Sequence, residues 1–565
     1  MKKHTNPFVH AINFLITTLV APICFSQQKP VDSVVGLQSN IKSQQVEVSS
    51  HQITLMTFEA SLPKNHILAI DGGVAKVAIH LESLFGADEL ILEGNRLLLA
   101  KENSQPLTCI ADVIGFAKNY SEKTNLAYEP ACDAGVYVRR TTNGYNTTVE
   151  LVATKIRSVL PSDYAEGLLA LGKSSLSAMR KWSEEEAVLE KSSHSVQHGD
   201  APLPDAAVSS EFRGSIVKNH HLGVQVRQKN LLAGRWYEAQ NFSGFYASVV
   251  VPELIDPSIL GSYPDKVKKL TSTESGSMVH LVAADLKSFS AGWFHGTHHP
   301  GVEWSKRAHN EVKNGKGGPD GFDKLFPLRP SGMPPLDKLP KIEATFSGGF
   351  QAAHSAFLYG DLAKSNSGHQ YGFMESGLLM STLKPNLATF FVTRDGAVDI
   401  KTWAVEDSVR NSQLLYVRQN GVALVDGGGR DSIGAPTKYV AQWGPGNWSG
   451  NAESKQETPR SAACIIETET DRFLVFAYFS SATPNVMARV FQAYGCDRSI
   501  HLDMNSAGQA YFALSKLVSN GESTSYLVEP LVKEMAAANP KLNGKTVPRY
   551  LVVPDYKDAF YLYRK

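Results

Sequence analysis

The chain has 565 residues, 42% of them apolar and 20% charged, with a formal net charge of +1. That length exceeds one ordinary hydrophobic core and predicts two domains. The composition excludes a disordered chain, and the balanced charge, with no long basic or acidic block, argues against nucleic acid as a principal partner.

The chain opens with Lys2 and Lys3, an apolar run from Ala11 to Phe25, and then Ser26-Gln27. A cationic start, a short apolar middle and a small residue at the cut describe an export signal over residues 1–26. The run is too short to span a bilayer comfortably. The expected product is a bacterial periplasmic or secreted protein with no stable membrane span after cleavage. Four cysteines remain beyond the signal: Cys109, Cys132, Cys464 and Cys496. An even number in an exported chain points to two bridges. Local pairing, 109–132 and 464–496, is the simplest of three arrangements, and four free thiols are the alternative.

Residues 27–190 read as a small α/β domain. Val136 and Val138 alternate before an Asn143-Gly144 turn signal, and Val149, Val152, Ile156, Val159 and Leu160 form a helical stripe. A second helix is expected after Pro161, capped by Asp163 and Glu166. Gly167 to Ser174, GLLALGKS, matches the phosphate-loop pattern. That pattern has meaning only between a strand and a helix, and here its approach is PSDYAE, so it is set aside. Residues 191–210 are Ser-, Pro- and Ala-rich without apolar periodicity and read as a linker.

Residues 211–565 form the larger domain. Strands are predicted at 279–286 and 341–346, the latter running into Ser347-Gly348-Gly349-Phe350. Two more flank an Asp395-Gly396 turn. After Pro459-Arg460, SAACIIE and RFLVFAYF predict a hairpin. Thr483-Pro484 then opens a helix, with Met487, Val490, Phe491 and Tyr494 as its stripe and Gly495 at its end. RSIHLDMNSAG follows at 498–508. As a strand it turns Ile500, Leu502 and Met504 one way, and His501, Asp503 and Asn505 the other. Strand, helix and strand over 472–504 predict a crossover between parallel strands. Ligands in such sheets bind beyond the carboxyl ends of the strands, where Asp503 and Asn505 fall. The fold class expected is therefore α+β: a mixed sheet with helices, preceded by the small α/β domain.

The order of these landmarks resembles the phosphodiester glycosidase family, which includes N-acetylglucosamine-1-phosphodiester alpha-N-acetylglucosaminidase-like enzymes and bacterial relatives linked to exopolysaccharides. The family's landmarks are Asn-Gly-Gly-Phe-Phe, Pro-Arg-Thr/Ser-Ala and Leu-Asp-Gly-Gly-Gly-Ser. This chain has SGGF at 347–350, PRSA at 459–462 and LDMNS at 502–506. The resemblance covers roughly 279–515. Ser347 stands in place of Asn, and Met504-Asn505-Ser506 in place of the glycine run. Consecutive glycines bring backbone amides close to an anion, which Met-Asn does not copy. A true Asp-Gly-Gly-Gly occurs in LVDGGGRDS at 424–432, but it precedes PRSA. It reads as a glycine-rich turn, with Asp426 the second candidate acid.

The resemblance implies cleavage between an anomeric carbon and a phosphodiester oxygen. Glycoside cleavage normally needs a carboxylate and a proton donor, and a phosphate leaving group mainly needs its charge held. The implied catalytic pair is Asp503, as nucleophile, base or stabiliser, and Arg460, whose guanidinium fork suits phosphate. Ser347, Gly348, Gly349, His354, His501 and Asn505 are the implied substrate contacts. Each has a plainer alternative: a turn cap for Asp503, an ion-pair partner for Arg460, a tight bend for 347–349, and structural roles for the two histidines. His295, His298, His299, Glu303 and His309 cluster in one stretch, but no H-E-x-x-H is present and glycines and prolines break helical spacing. The stretch reads as a loop, and neither metal nor cofactor is expected. The expected function is an exported glycan-directed hydrolase; the alternative is a non-catalytic envelope protein that binds glycan or protein with the same fold.

Overall fold

The computed structural model describes residues 41–58, 65–72, 76–84, 89–101, 104–120, 128–139, 144–159, 189–191, 201–297, 332–350, 371–429, 432–440, 457–519 and 524–565. The export segment, the phosphate-loop match, the helix expected after Pro161, His354, and His298 to His309 lie outside them.

The expected α+β class is overturned: every strand pair between named elements is antiparallel, and the fold is a β-rich, sandwich-like one. The N-terminal part is not α/β either. Its six-stranded sheet follows the order Ile41–Val48, His51–Phe58, Asn65–Asp71, Lys76–Ser83, Val136–Arg139, Tyr128–Cys132, all neighbours antiparallel. A three-stranded sheet over 89–110 packs Leu90, Leu92, Leu97 and Leu99 into the same core. Cys109 and Cys132 are bridged.

Three larger sheets, with three small ones of two or three strands, make up the rest of the described residues. The first follows the order Tyr237–Glu238, Phe245–Val250, Val279–Asp285, Arg472–Ala482, Thr458–Glu467, Arg498–Met504. One face, through Ala463, Ile465, Leu474, Phe476, Ile500 and Leu502, meets the sheets built on Phe289–Phe294 and Phe373–Glu375. Its other face, through Ala462, Cys464, Ile466, Val475 and Ala477, packs under the helix Pro484–Ala493. Strands buried on both faces read as unbroken apolar runs, the pattern usually met in parallel sheets. Only pairing separates the two cases.

The predicted crossover shows this. Arg472–Ala482 and Arg498–Met504 each pair antiparallel with Thr458–Glu467, which lies between them. The two strands therefore run in the same direction, but the helix carries the chain over an intervening strand. The helix matches its expectation: Pro484 opens it, and Met487, Val490, Phe491 and Tyr494 are at most 1% exposed. Gly495 ends it at φ +74°, a left-handed value natural to glycine. The hairpin at 458–482 and the turn at Asp395-Gly396 also form as expected.

Three expectations fail locally. Helix Thr148–Val159 forms, but Val149, Val152 and Val159 are 58%, 50% and 79% exposed, so its stripe is not core. Met504 does not share a face with Ile500 and Leu502: a bulge between the Arg460 and Ala462 pairings turns it into the helix-side cluster. Of the tract read as a linker, Lys191 ends the strand Leu189–Lys191, and from 201 on Leu203, Ala206 and Val208 are buried and the Trp236 indole donates to Pro204 O.

Cys464 and Cys496 are bridged, joining the sheet to the turn after the helix. The sequence separation is 32 residues. Replacing both with alanine is expected to lower stability by about 4 kcal/mol through release of loop entropy in the unfolded chain, checked by urea unfolding.

His80, His280 and His501 are all buried. Burial pushes the His80 imidazole down to about 3, His280 to about 4 and His501 well below its usual range. Each folded value lies below the unfolded 6.5, so on acidification the unfolded chain takes up the proton first. Their stabilisation is full above pH 6.5 and is lost as pH falls toward each folded value, by about 1.4 kcal/mol per pH unit per histidine. His280→Gln is expected to remove one such increment from the slope of unfolding free energy between pH 6.5 and about 4.

Candidate functional site

Asp555-Tyr556-Lys557-Asp558 puts three charges into four residues immediately before the apolar strand Ala559–Arg564. All three charged side chains are buried. A buried charge survives only when paired and hydrogen-bonded, and each here has its own partner. Asp555 takes Arg549 Nε at 2.8 Å, and Asp558 takes Arg418 Nε at 2.7 Å and the Trp293 indole at 3.1 Å. The Lys557 ammonium contacts Asp503 Oδ2 and lies 3.3 Å from Glu150 Oε1.

Asp503 is the acid expected at the end of strand Arg498–Met504. It is 6% exposed. Its sheet is antiparallel, so the end of the strand marks no ligand crevice by itself; its neighbours define its setting. Its backbone N–H donates to Gly348 O at 3.1 Å, and its Oδ1 accepts from Met504 N at 2.8 Å. Burial pushes its carboxyl above the ordinary range, while Lys557 pulls the other way.

The double-glycine bend lies against this group. Gly348 N–H donates to Asp558 O at 3.0 Å, and a Cβ there would sit 2.7 Å from Asp558 Cγ. At Gly349 a Cβ would sit 2.6 Å from Asn420 Oδ1 and 3.0 Å from Arg418 Nη2. Both glycines are therefore needed for close approach. Ser347 is fully buried; its hydroxyl lies 3.1 Å from Tyr550 OH and accepts from Tyr511 N–H at 3.2 Å. Asn420 ties the bend to the Asp503 strand, accepting from Phe350 N–H at 2.8 Å and donating to His501 O at 2.6 Å.

Arg460 and His501 lie together on the adjoining strands. Arg460 Nε donates to Ala482 O at 2.7 Å. Its Nη1 lies 3.5 Å from His501 Nε2 and 3.2 Å from Met504 Sδ. Burial pushes its guanidinium down to about 9, with Glu274 opposing the shift, so it stays cationic at neutral pH. The His501 ring packs edge-on against Phe350 at 5.1 Å. Asn505 is half-buried in a left-handed conformation, φ +88°, and its N–H donates to Pro459 O at 2.7 Å.

The structure thus brings Ser347, Gly348, Gly349, Arg460, His501, Asp503 and Asn505 into one region. His354 is outside the described residues. Asp426 is elsewhere: its carboxylate takes the Thr402 hydroxyl, and a Cβ on Gly428 would sit 2.6 Å from Asp497 Cα. The glycine-rich tract is a packing turn. His295 of the histidine stretch pairs with buried Glu375, and among the described residues no three His, Cys, Asp or Glu side chains group as a metal site.

Sequence reading missed Glu150, Arg549, Asp555 and Lys557. The dense charge before an apolar strand in PDYKDAF was the available signal; nothing near Glu150 in the chain pointed to residues 399 positions away. Residues 144–150 clip onto the same loop. Tyr145 N–H donates to Pro554 O at 2.6 Å, and Tyr556 N–H to Tyr145 O at 3.0 Å. Glu150 accepts from Arg549 Nη2 at 3.0 and 3.1 Å.

No helix among the described residues is long and apolar enough to cross a membrane. No family model matches the chain, and no curated protein does. Among solved structures it is similar to the catalytic domain of zebrafish N-acetylglucosamine-1-phosphodiester alpha-N-acetylglucosaminidase, auto-inhibited by its pro-peptide, at 13% identity over 58% of this chain and 85% of that one, with a TM-score of 0.29. A protein of Burkholderia pseudomallei described as exported is similar at 11% identity over 51% of this chain and 75% of that one, with a TM-score of 0.20. The likeness to a glycosidase catalytic domain is therefore weak, and sequence comparison assigns no family.

Proposed function

We propose that the chain is an exported, glycan-directed hydrolase that cleaves a sugar phosphodiester or a related glycosidic bond, with Asp503 as its carboxylate. One observation carries the reading: the double-glycine bend, the PRSA strand and the Leu-Asp strand end meet at Asp503, with Gly348 O 3.1 Å from Asp503 N and the Ser461 hydroxyl donating to Asp503 O at 2.7 Å. In this reading Asp503 acts on the anomeric centre or steadies its positive charge, and Lys557 holds it ionised. Arg460, cationic beside His501, balances the negative charge of the departing phosphate. The two disulfides suit an oxidising compartment.

The test is sugar release by the purified full-length chain from a panel of hexose 1-(methyl phosphate) diesters, with Asp503→Asn alongside. Turnover by the parent chain that falls to background in the variant supports the reading. Equal turnover by both sinks it.

The burial of Asp503 and its engagement by Lys557 favour a second reading, a binding protein for envelope glycans. That reading expects glycan binding without turnover, persisting when Asp503 and Arg460 are both replaced.

A further inference from the structure

The Asp503–Lys557 contact is not held from the C-terminal part alone. Glu150 stands at the start of helix Thr148–Val159, where its Oε2 accepts from Thr147 N–H at 2.8 Å and its own N–H reaches Thr147 Oγ1 at 3.3 Å. That reciprocal pair fixes the Glu150 side chain before any distant partner is considered. The fixed carboxylate then reaches Arg549 through Nη2 and Lys557 through Nζ. Lys557, 4% exposed, is anchored at its backbone by donation to Asp555 Oδ1 at 2.9 Å. Its ammonium has two carboxylates to choose between, on segments more than 350 residues apart in the chain.

We propose that Glu150 is a positioning residue for Asp503: it orients the Lys557 ammonium against the Asp503 carboxylate, so the N-terminal part of the chain completes the site. The inference rests on Asp503 being the working carboxylate. Glu150 is no proton donor in this arrangement. Although burial opposes it, Arg549 and Lys557 hold its carboxyl down at about 2, so it remains an anion at any working pH. What it supplies is charge and direction. The groups facing Asp503 are Lys557 in contact, Glu150 behind it, and the Met504 N–H; Lys557 also feels Arg549. Removing Glu150 therefore has two opposed effects. Loss of a nearby anion alone makes Asp503 easier to ionise. Release of Lys557 makes it harder, and the proposal requires the second to win.

The experiment uses the full chain with Glu150→Gln, Lys557→Met, Asp503→Asn and their combinations. Urea unfolding gives the Asp503–Lys557 coupling from a double-mutant cycle, measured with Glu150 present and with Glu150→Gln. Should Lys557→Met fail to fold, Lys557→Gln, which keeps a donor toward both carboxylates, enters the cycle instead. The expected result is a coupling constant at least fivefold smaller without Glu150. On the diester panel, the acidic limb of kcat/KM is expected to move up by about one pH unit in both Lys557→Met and Glu150→Gln. An undiminished coupling, or an acidic limb that stays put or moves down in Glu150→Gln, overturns the proposal. Loss of coupling in a chain whose parent form turns over none of the diesters instead overturns the hydrolase reading, and leaves Glu150 as the group that orients Lys557.

Discussion

Arg549→Met is expected to lower stability by about 3–5 kcal/mol, measured by urea unfolding at pH 7. The guanidinium is fully buried, with one fork toward Asp555 at 2.8 Å, another nitrogen on Glu150 at 3.0 Å and a third donating to Gly508 O at 2.8 Å. Its plane is surrounded by aromatic rings, the Tyr550 ring 4.8 Å away and those of Tyr145 and Tyr511 at 5.7 and 5.9 Å. Methionine keeps much of the apolar contact and removes the charge, so the cost falls on Asp555, left with the Lys557 backbone N–H, and on Glu150, left with the Lys557 ammonium and the Thr147 N–H. Arg549→Lys recovers only part of the loss, because one ammonium cannot reproduce a planar fork serving three acceptors. The penalty has a pH signature. In the parent chain Glu150 is held ionised down to about 2 against an unfolded value of 4.5. Its stabilisation is full above pH 4.5 and lost as pH falls toward 2. In the variant the carboxylates accept protons more readily than in the parent, so the gap between the two narrows as pH falls through the variant's own, higher values, the unfolded chains being alike. A difference below about 1 kcal/mol at pH 7 would show that the cluster carries little of the stability assigned to it.

Asp503→Asn is expected to reduce turnover of the hexose diesters by about a thousandfold, within the range for removing a positioned acid or base. The substitution is nearly isosteric, and Lys557 retains Glu150 at 3.3 Å, so the variant is expected to fold. Because burial raises the Asp503 carboxyl, activity of the parent chain should climb with pH through a limb above the ordinary carboxylate range. That limb should vanish with the carboxylate. Residual activity of Asp503→Asn near the parent level, with the limb intact, would move the chemistry to another group.

What the sequence made legible was local. The helix after Thr483 was readable because its proline, its apolar spacing and Gly495 lie within a dozen residues. The hairpin at 458–482 was readable for the same reason, and the two cystine pairs are the simplest of the three pairings the sequence left open. Sheet pairing was not. Strands such as Thr458–Glu467 are covered by a helix on one face and by two sheets on the other, so their apolar runs say that they are buried without saying which neighbour runs beside them. The Met504 side chain departed from simple alternation because of a bulge that no periodicity encodes. The site followed the same rule. Asp503, Arg460 and the glycine bend were visible as motifs, whereas Glu150 and Lys557 acquire meaning only when residues hundreds apart are folded together. The exposed stripe of helix Thr148–Val159 is the converse case: its spacing named an apolar face, but the helix is held through Glu150 at its other side.

The clip between Tyr145 and Pro554 also sets an order of events. On a ribosome adding about 5–20 residues per second, Glu150 emerges roughly 20 to 80 seconds before Arg549. Until then Glu150 lacks the two cations that hold it in the folded chain, Arg549 and Lys557. Residues 549–558 therefore act as a latch on the segment around Glu150. Deleting residues 554–565 should free the segment around Glu150 while the N-terminal sheet keeps its contacts with residues 333–336.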